Sequence, residues 1–303
     1  MRAGINSLTA ALLVGVAIGL VLTPDGRAWI KRPTLMLGST AANASASAPS
    51  PAPLPPAAEA PRPSVPVVTP LSTRMQRGQL RIGVFGDSMA DGLWTGLYRE
   101  MHQTPGVTVT KFSEVSTGLS RYDYVDIQSK TERQISEHPV DVAVILFGTN
   151  DAQGISIDGQ VHAFGSDGWK IAYAKRVDDL VAMLRSRDVA VYWVGLPKMK
   201  RASFDARMAL INEVVSARMK ALDVPYIDTV ALTSDADGDY DAYLTAQDTG
   251  RRQLMRANDG IHMSMAGYMR LTQPVFHTLT HDAGIAAPGR TAEAPAGAGG
   301  AGA

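Results

Sequence analysis

Apolar residues fall into short buried runs alternating with helically spaced stretches over residues 80–281. Leu80 to Phe85 is an apolar run closed by Gly86, and Ser88 to His102 places Leu93, Leu97 and Met101 on one helical face. Val107 to Phe112 alternates with the period of a strand. Val140 to Phe147, apolar apart from Asp141, and Val189 to Leu196 are long apolar runs, the first closed by Gly148 and the second by Pro197. Such runs predict strands buried on both faces. Between them Tyr173 to Arg187 is amphipathic through Val177, Leu180, Val181 and Leu184. Phe204 to Leu222 predicts a helix, Val224 to Ile227 a short strand, and Ser264 to His281 a closing helix. Strands alternating with helices predict an α/β fold with a mostly parallel sheet covered on both faces. In such sheets ligands bind at the carboxyl ends of the strands. Ser88, Gly118 and Asn150 each follow a predicted strand end. No internal repeat is found.

The pattern also divides the chain of 303 residues. Arg2 precedes an uncharged stretch from Ala3 to Leu22, which predicts a signal or anchor segment within residues 1–40. Thr23-Pro24-Asp25-Gly26-Arg27 follows and lacks a small-x-small cleavage pattern, so an uncleaved anchor is expected. Arg27, Lys31 and Arg32 beyond the run oppose this orientation, because positive charge prefers the cytoplasmic side. Residues 41–78 are expected to be an Ala/Pro-rich linker, 79–284 the folded domain, and 285–303 a disordered Ala/Gly-rich tail. The expected location is periplasmic or in the cell envelope, with the inner membrane contacted through the N-terminal segment.

Charge and cysteine content narrow the classes. Lysine plus arginine number 29 and aspartate plus glutamate 29, and no basic block exceeds two residues. A nucleic-acid partner is therefore not expected. The absence of cysteine excludes disulfides, thiol nucleophiles and thiolate metal sites. Asp235, Asp237, Asp239 and Asp241 alternate, but Tyr240 stands where a calcium loop needs glycine and Ala246 where it needs glutamate. A solvated acidic turn is expected there, and no metal. Nothing in the sequence sets an oligomeric state.

Three short blocks carry candidate chemistry: Gly86-Asp87-Ser88, Gly148-Thr149-Asn150-Asp151 and Asp259-Gly260-Ile261-His262. A serine nucleophile needs a base, and the base needs a partner that holds its tautomer. Ser88 offers the hydroxyl, His262 the base and Asp259 the partner. The plainer alternatives are that Ser88 caps a helix and that Asp259 closes a turn on its own backbone. The Asn150 amide can stabilise an oxyanion, as can a backbone N–H of Gly118 in Ser116-Thr117-Gly118-Leu119-Ser120-Arg121. Trp169, Tyr173 and Arg176 share helical spacing, and Trp169 is a candidate to line a substrate cleft. His102, His138, His162, His277 and His281 lack a comparable setting.

Together, these ordered blocks resemble the SGNH, or GDSL-like, hydrolase superfamily over roughly residues 80 to 282. More narrowly they are similar to an exported bacterial subgroup described as a domain of unknown function. That likeness rests on Gly86 to Leu93, Ser116 to Arg121, Gly148 to Gln153, Trp193 to Pro197 and Arg256 to His262. The resemblance implies a flavodoxin-like three-layer α/β/α sandwich. It implies Ser88, His262 and Asp259 as the triad, and Ser88, Gly118 and Asn150 as the oxyanion hole. No metal or organic cofactor is implied. Asp87 and Arg256, within the matching blocks, join Trp169 as candidates to contact substrate. The implied activity is that of an exported serine esterase removing O-acyl groups, acetyl above all, from a cell-envelope polysaccharide or peptidoglycan. Acyl transfer to a surface glycan by the same triad and a non-catalytic scaffold are the alternatives.

Overall fold

The computed structural model describes residues 68–286 apart from 248. Five parallel strands form the central sheet in the order β2-β1-β3-β6-β7. They are β1 (Leu80–Gly86), β2 (Val107–Lys111), β3 (Val142–Leu146), β6 (Ala190–Val194) and β7 (Tyr226–Ile227). The central pair β1 and β3 runs in register from Ile82 beside Val142 to Gly86 beside Leu146. Every residue of β3 is buried, which explains its uninterrupted apolar sequence.

Helices cover both faces. On one lie α1 (Leu71–Gln76), α2 (Ser88–Met101) and α6 (Met265–Ala283). On the other lie α3 (Ile127–Glu137), α4 (Asp167–Ser186) and α5 (Ala202–Ala221). The result is a three-layer α/β/α sandwich with the flavodoxin-like strand order, whose switch point falls between β1 and β3. Two antiparallel hairpins are added to it, β4–β5 (Ile155–Ile157, Gln160–His162) and β8–β9 (Tyr243–Thr245, Arg252–Leu254).

Several elements differ from the expectation. Helix α4 starts six residues earlier than its apolar spacing suggested, because Ser166 caps it by accepting the Trp169 N–H at 3.2 Å. Helix α3 escaped the pattern because it buries only Ile127, Thr131 and Ile135 on an otherwise polar helix. Helix α1 lies in the stretch expected to be linker. Leu71 and Arg74 are buried there, and Arg74 donates to Asp141 at 2.9 Å, so the folded domain begins ahead of residue 79. The expected signal or anchor segment, residues 41–67 of the linker and residues 287–303 of the tail lie outside the described residues. Among the described residues no helix is long and apolar enough to cross a membrane.

One packing feature bears directly on the site. Helix α2 presents Gly92 and Gly96 to α6. A Cβ at Gly92 would lie 2.0 Å from the Tyr268 ring, and one at Gly96 2.2 Å from Thr272 Oγ1. The two helices therefore meet backbone to side chain, which fixes the start of α6 over the start of α2.

Candidate active site

The site forms where β1 and β3 end. Gly86 closes β1 at φ +153, and a Cβ there would lie 2.0 Å from the Leu146 carbonyl oxygen. Only glycine permits this conformation at this approach. The chain then turns into α2, whose cap is Asp87: its carboxylate accepts the Met89 N–H at 2.9 Å. With that role taken, the Ser88 hydroxyl is free for another partner, and it lies 2.8 Å from His262 Nε2. Ser88 is thus the first helical residue and not the cap, with its N–H at the positive end of α2.

His262 reaches Ser88 from a tight loop. An antiparallel bridge joins Arg256 to Met263, and the Ala257 N–H donates to the His262 carbonyl at 2.9 Å. Inside the loop Asp259 Oδ1 accepts the N–H groups of Ile261 at 2.9 Å and His262 at 3.0 Å. Asp259 Oδ2 lies 2.7 Å from His262 Nδ1. The turn and the histidine partner, alternatives in the sequence, are therefore the same arrangement. With Asp259 accepting at Nδ1, Nε2 is the bare nitrogen that accepts the Ser88 hydroxyl proton. Partial burial pushes the Asp259 carboxyl up, but the hydrogen bonds from His262 and Ile261 outweigh it and hold the group below its ordinary value. The His262 side chain is 38% exposed and that of Asp259 47%, so the relay opens to solvent.

Two further loops close on Ser88. Gly148 follows β3 at φ +140, and a Cβ there would lie 2.5 Å from Leu196 Cδ1. Two residues on, Asn150 Nδ2 donates to the Thr117 carbonyl at 3.0 Å, which leaves one amide hydrogen free and ties the Asn150 loop to the Gly118 loop. Among the described residues, neither the Ser88 nor the Gly118 N–H donates to another protein group.

Three candidate substrate contacts take other roles. Asp87 is 0% exposed and spends its carboxylate on Met89, Gly148 and Thr149. Trp169 is also 0% exposed. Its Nε1 donates to the Gln153 carbonyl at 2.8 Å and its ring stacks on Tyr173 at 4.6 Å, so it is core and not cleft. Arg256 is 1% exposed; its Nη2 donates to the Lys198 carbonyl and, at 3.4 Å, to the Gly260 carbonyl. It braces the Asp259–His262 turn from beneath, with its guanidinium 5.2 Å from the Tyr240 ring centroid. In the acidic stretch Asp235 Oδ1 accepts the N–H groups of Asp237 at 3.0 Å and Asp239 at 2.8 Å, which makes it a turn bonded to itself.

A family described as "Protein of unknown function (DUF459)" matches residues 81–278, about two thirds of the chain. The chain belongs to the DUF459 family. No curated protein matches it. Among solved structures it is similar to an acetyl-xylooligosaccharide esterase from Geobacillus at 14% identity, covering 67% of this chain and 95% of that one, with a TM-score of 0.48. It is similar to the psychrotrophic esterase EstA from Pseudoalteromonas at 8% identity, 66% and 97% coverage and a TM-score of 0.45. A GDSL-like lipase from Bacteroides thetaiotaomicron follows at 13% identity, 66% and 88% coverage and a TM-score of 0.44.

Within this DUF459 domain the structure gives roles to residues that the sequence named without one. Asp151 is 0% exposed and accepts from Leu119 N, Ser120 N, Ser120 Oγ and Tyr173 Oη. Arg176 donates to the Leu119 carbonyl and, at 2.8 Å, to the Ser156 carbonyl, with its guanidinium 3.9 Å from the Tyr122 ring centroid. Helix α4 thus supports the Gly118 loop from outside. Asp151 stands beside Asn150 in its block, but nothing in the sequence spacing names a partner 31 residues earlier.

Proposed function

We propose that this DUF459 protein is a serine ester hydrolase that removes O-acyl groups, acetyl above all, from a cell-envelope polysaccharide or peptidoglycan. One observation carries the reading: Ser88 Oγ, His262 and Asp259 form a continuous relay at 2.8 and 2.7 Å, at the carboxyl end of a parallel sheet. Ser88 Oγ attacks the ester carbonyl while its proton passes to His262 Nε2. Asp259 stabilises the imidazolium. The carbonyl oxygen becomes an oxyanion and takes hydrogen bonds from Ser88 N–H, Gly118 N–H and the free amide hydrogen of Asn150. Collapse breaks the ester bond, and His262 returns the proton to the leaving alkoxide. A water then gives its proton to His262 and attacks the acyl-serine, releasing the carboxylate and restoring Ser88.

The polymeric substrate is supported by two features. The relay is exposed enough to meet an ester on a chain too large to enter a closed pocket. The apolar stretch from Ala3 to Leu22 suits delivery to the envelope. The test is hydrolysis of p-nitrophenyl acetate by the full-length protein beside its Ser88→Ala variant. Loss of about a thousandfold or more in kcat is expected, as for other triad serines. Equal rates in the two proteins would overturn the reading. Faster p-nitrophenol release with an added sugar, together with an acetylated sugar product, would turn hydrolysis into transfer.

A further inference from the structure

Two carboxylates lie beneath the site, and the cycle above gives neither of them a proton to move. Each sits in one sequence block and holds another. Asp87 Oδ2, from the block of Ser88, accepts from Gly148 N at 3.2 Å, Thr149 N at 3.0 Å and Thr149 Oγ1 at 2.6 Å. Asp151, from the block of Asn150, accepts from Leu119 N at 3.1 Å and from Ser120 N and Ser120 Oγ at 2.8 Å each. Tyr173 of α4 gives Asp151 a fourth bond at 2.8 Å. Gly118 packs directly on it, since a Cβ there would lie 2.3 Å from Asp151 Oδ1.

We infer that Asp87 and Asp151 are positioning residues that assemble the oxyanion hole, Asp87 through the Asn150 loop and Asp151 through the Gly118 loop. The inference rests on the hydrolase reading. Its chemical content is that both groups must be ionised. Asp87 Oδ1 faces the Met89 N–H and Oδ2 faces the N–H groups of Gly148 and Thr149. Asp151 Oδ1 faces the Ser120 N–H and Oδ2 the Leu119 N–H. An amide nitrogen placed on either oxygen of either residue would point at a backbone N–H, and a carboxyl proton finds an acceptor only where the Thr149, Ser120 or Tyr173 hydroxyl turns from its present bond. Neither protonation nor an Asn substitution therefore leaves the loops in place.

Burial favours the neutral forms, and the hydrogen bonds from Thr149 and Met89 to Asp87 and from Ser120, Tyr173 and Leu119 to Asp151 oppose it. Asp151 also repels the Asp87 charge, and the phenols of Tyr173 on α4 and Tyr268 on α6, which bond to Asp151 and Met89, lie within reach of that charge. Thr149 donates to Asp87 from the loop after β3, and the Arg176 cation of α4, bonded to the Leu119 and Ser156 carbonyls, opposes protonation of Asp151. Burial pushes the Asp87 carboxyl up to about 6 and that of Asp151 upward as well. Mild acid should therefore loosen the hole while the sheet below it stays intact.

The experiment is a mutant cycle on the full-length protein with p-nitrophenyl acetate. Asp87→Asn and Asp151→Asn should each lower kcat by roughly a hundredfold, as loss of an oxyanion donor does, with KM within about threefold. Asn150→Ala alone should lose a similar amount. Combined with Asp87→Asn it should lose little more, because both remove the same donor. Fully additive losses would overturn the assignment of Asp87. Rates of Asp151→Asn within about threefold of the parent would overturn that of Asp151. A measurement on the unmutated protein covers variants that fail to fold. The amide resonances of Gly148 and Thr149 should shift together as pH falls from 7 to 4, with a midpoint near 6. Resonances that stay fixed over that range would overturn the inference. If the parent protein is no faster than Ser88→Ala, the hydrolase reading falls, and the amide titration still decides whether these carboxylates order the loops.

Discussion

Ser88 illustrates how a residue's role depends on what its neighbour already does. A serine after a strand is most often a helix cap, but Asp87 fills that role and releases the hydroxyl to His262. The same aspartate carries a cost. Burial raises its pKa from 3.8 to about 6. A carboxyl raised on folding favours the folded state below its unfolded pKa, and that contribution is lost as pH rises through 6. At neutral pH the ionised Asp87 therefore opposes folding by about 3 kcal/mol. Acidification from pH 7 to 5 should lower kcat/KM while the urea midpoint holds or rises. Parallel loss of both would show that the acid limb is unfolding. At this scale Ser88, His262 and Asp259 were legible because each sits in a block of distinctive order. Asp87 and Arg256 were misplaced because motif membership says nothing about burial, and Trp169 because helical spacing does not separate core from cleft. All three are at most 1% exposed, and each is committed to the inside of the fold.

At the scale of elements, the strands β1, β3 and β6 could be read from apolar runs, because strands buried on both faces leave little room for polar residues, Arg81 near the start of β1 being the exception. The hairpins β4–β5 and β8–β9 could not. They are three residues per strand, and β9 is exposed throughout. The close contact of α2 with α6 was equally hidden, since it shows in the sequence only as Gly92 and Gly96. Gly92→Ala gains helix propensity of about 1 kcal/mol. It also places a methyl inside the Tyr268 ring, and overpacking of this kind costs about 1–3 kcal/mol or more. The expected result is a lower melting temperature together with a disproportionate loss of kcat, because α6 is displaced relative to Ser88. A melting temperature that rises while kcat stays unchanged would show that the two helices part without moving the relay.

For the molecule as a whole, the domain boundary is set by charge as much as by apolar pattern. Arg74 of α1 meets Asp141 at the start of the sheet with both side chains 9% exposed, and Arg81 shares the same carboxylate. Hydrogen bonds from Arg81 and Arg74 outweigh burial and hold Asp141 below its ordinary value. An Ala/Pro/Ser-rich stretch preceding Leu71 concealed this, since composition marks a linker without marking its end. A chain starting at residue 79 should be less stable than one starting at 68 by on the order of 2–4 kcal/mol, because a buried carboxylate loses one of its two cations. Equal urea midpoints for the two chains would place the boundary back at 79.

The bond from His262 to Ser88 spans 174 residues of chain. Nothing short of the nearly finished domain can make it, because the first central strand must hold its place until the last helix arrives. A ribosome-bound chain that has not yet released His262 is therefore chemically silent, with its nucleophile made long before its base. Turnover by this protein doubles as a report that the chain has folded at least as far as the loop that carries His262.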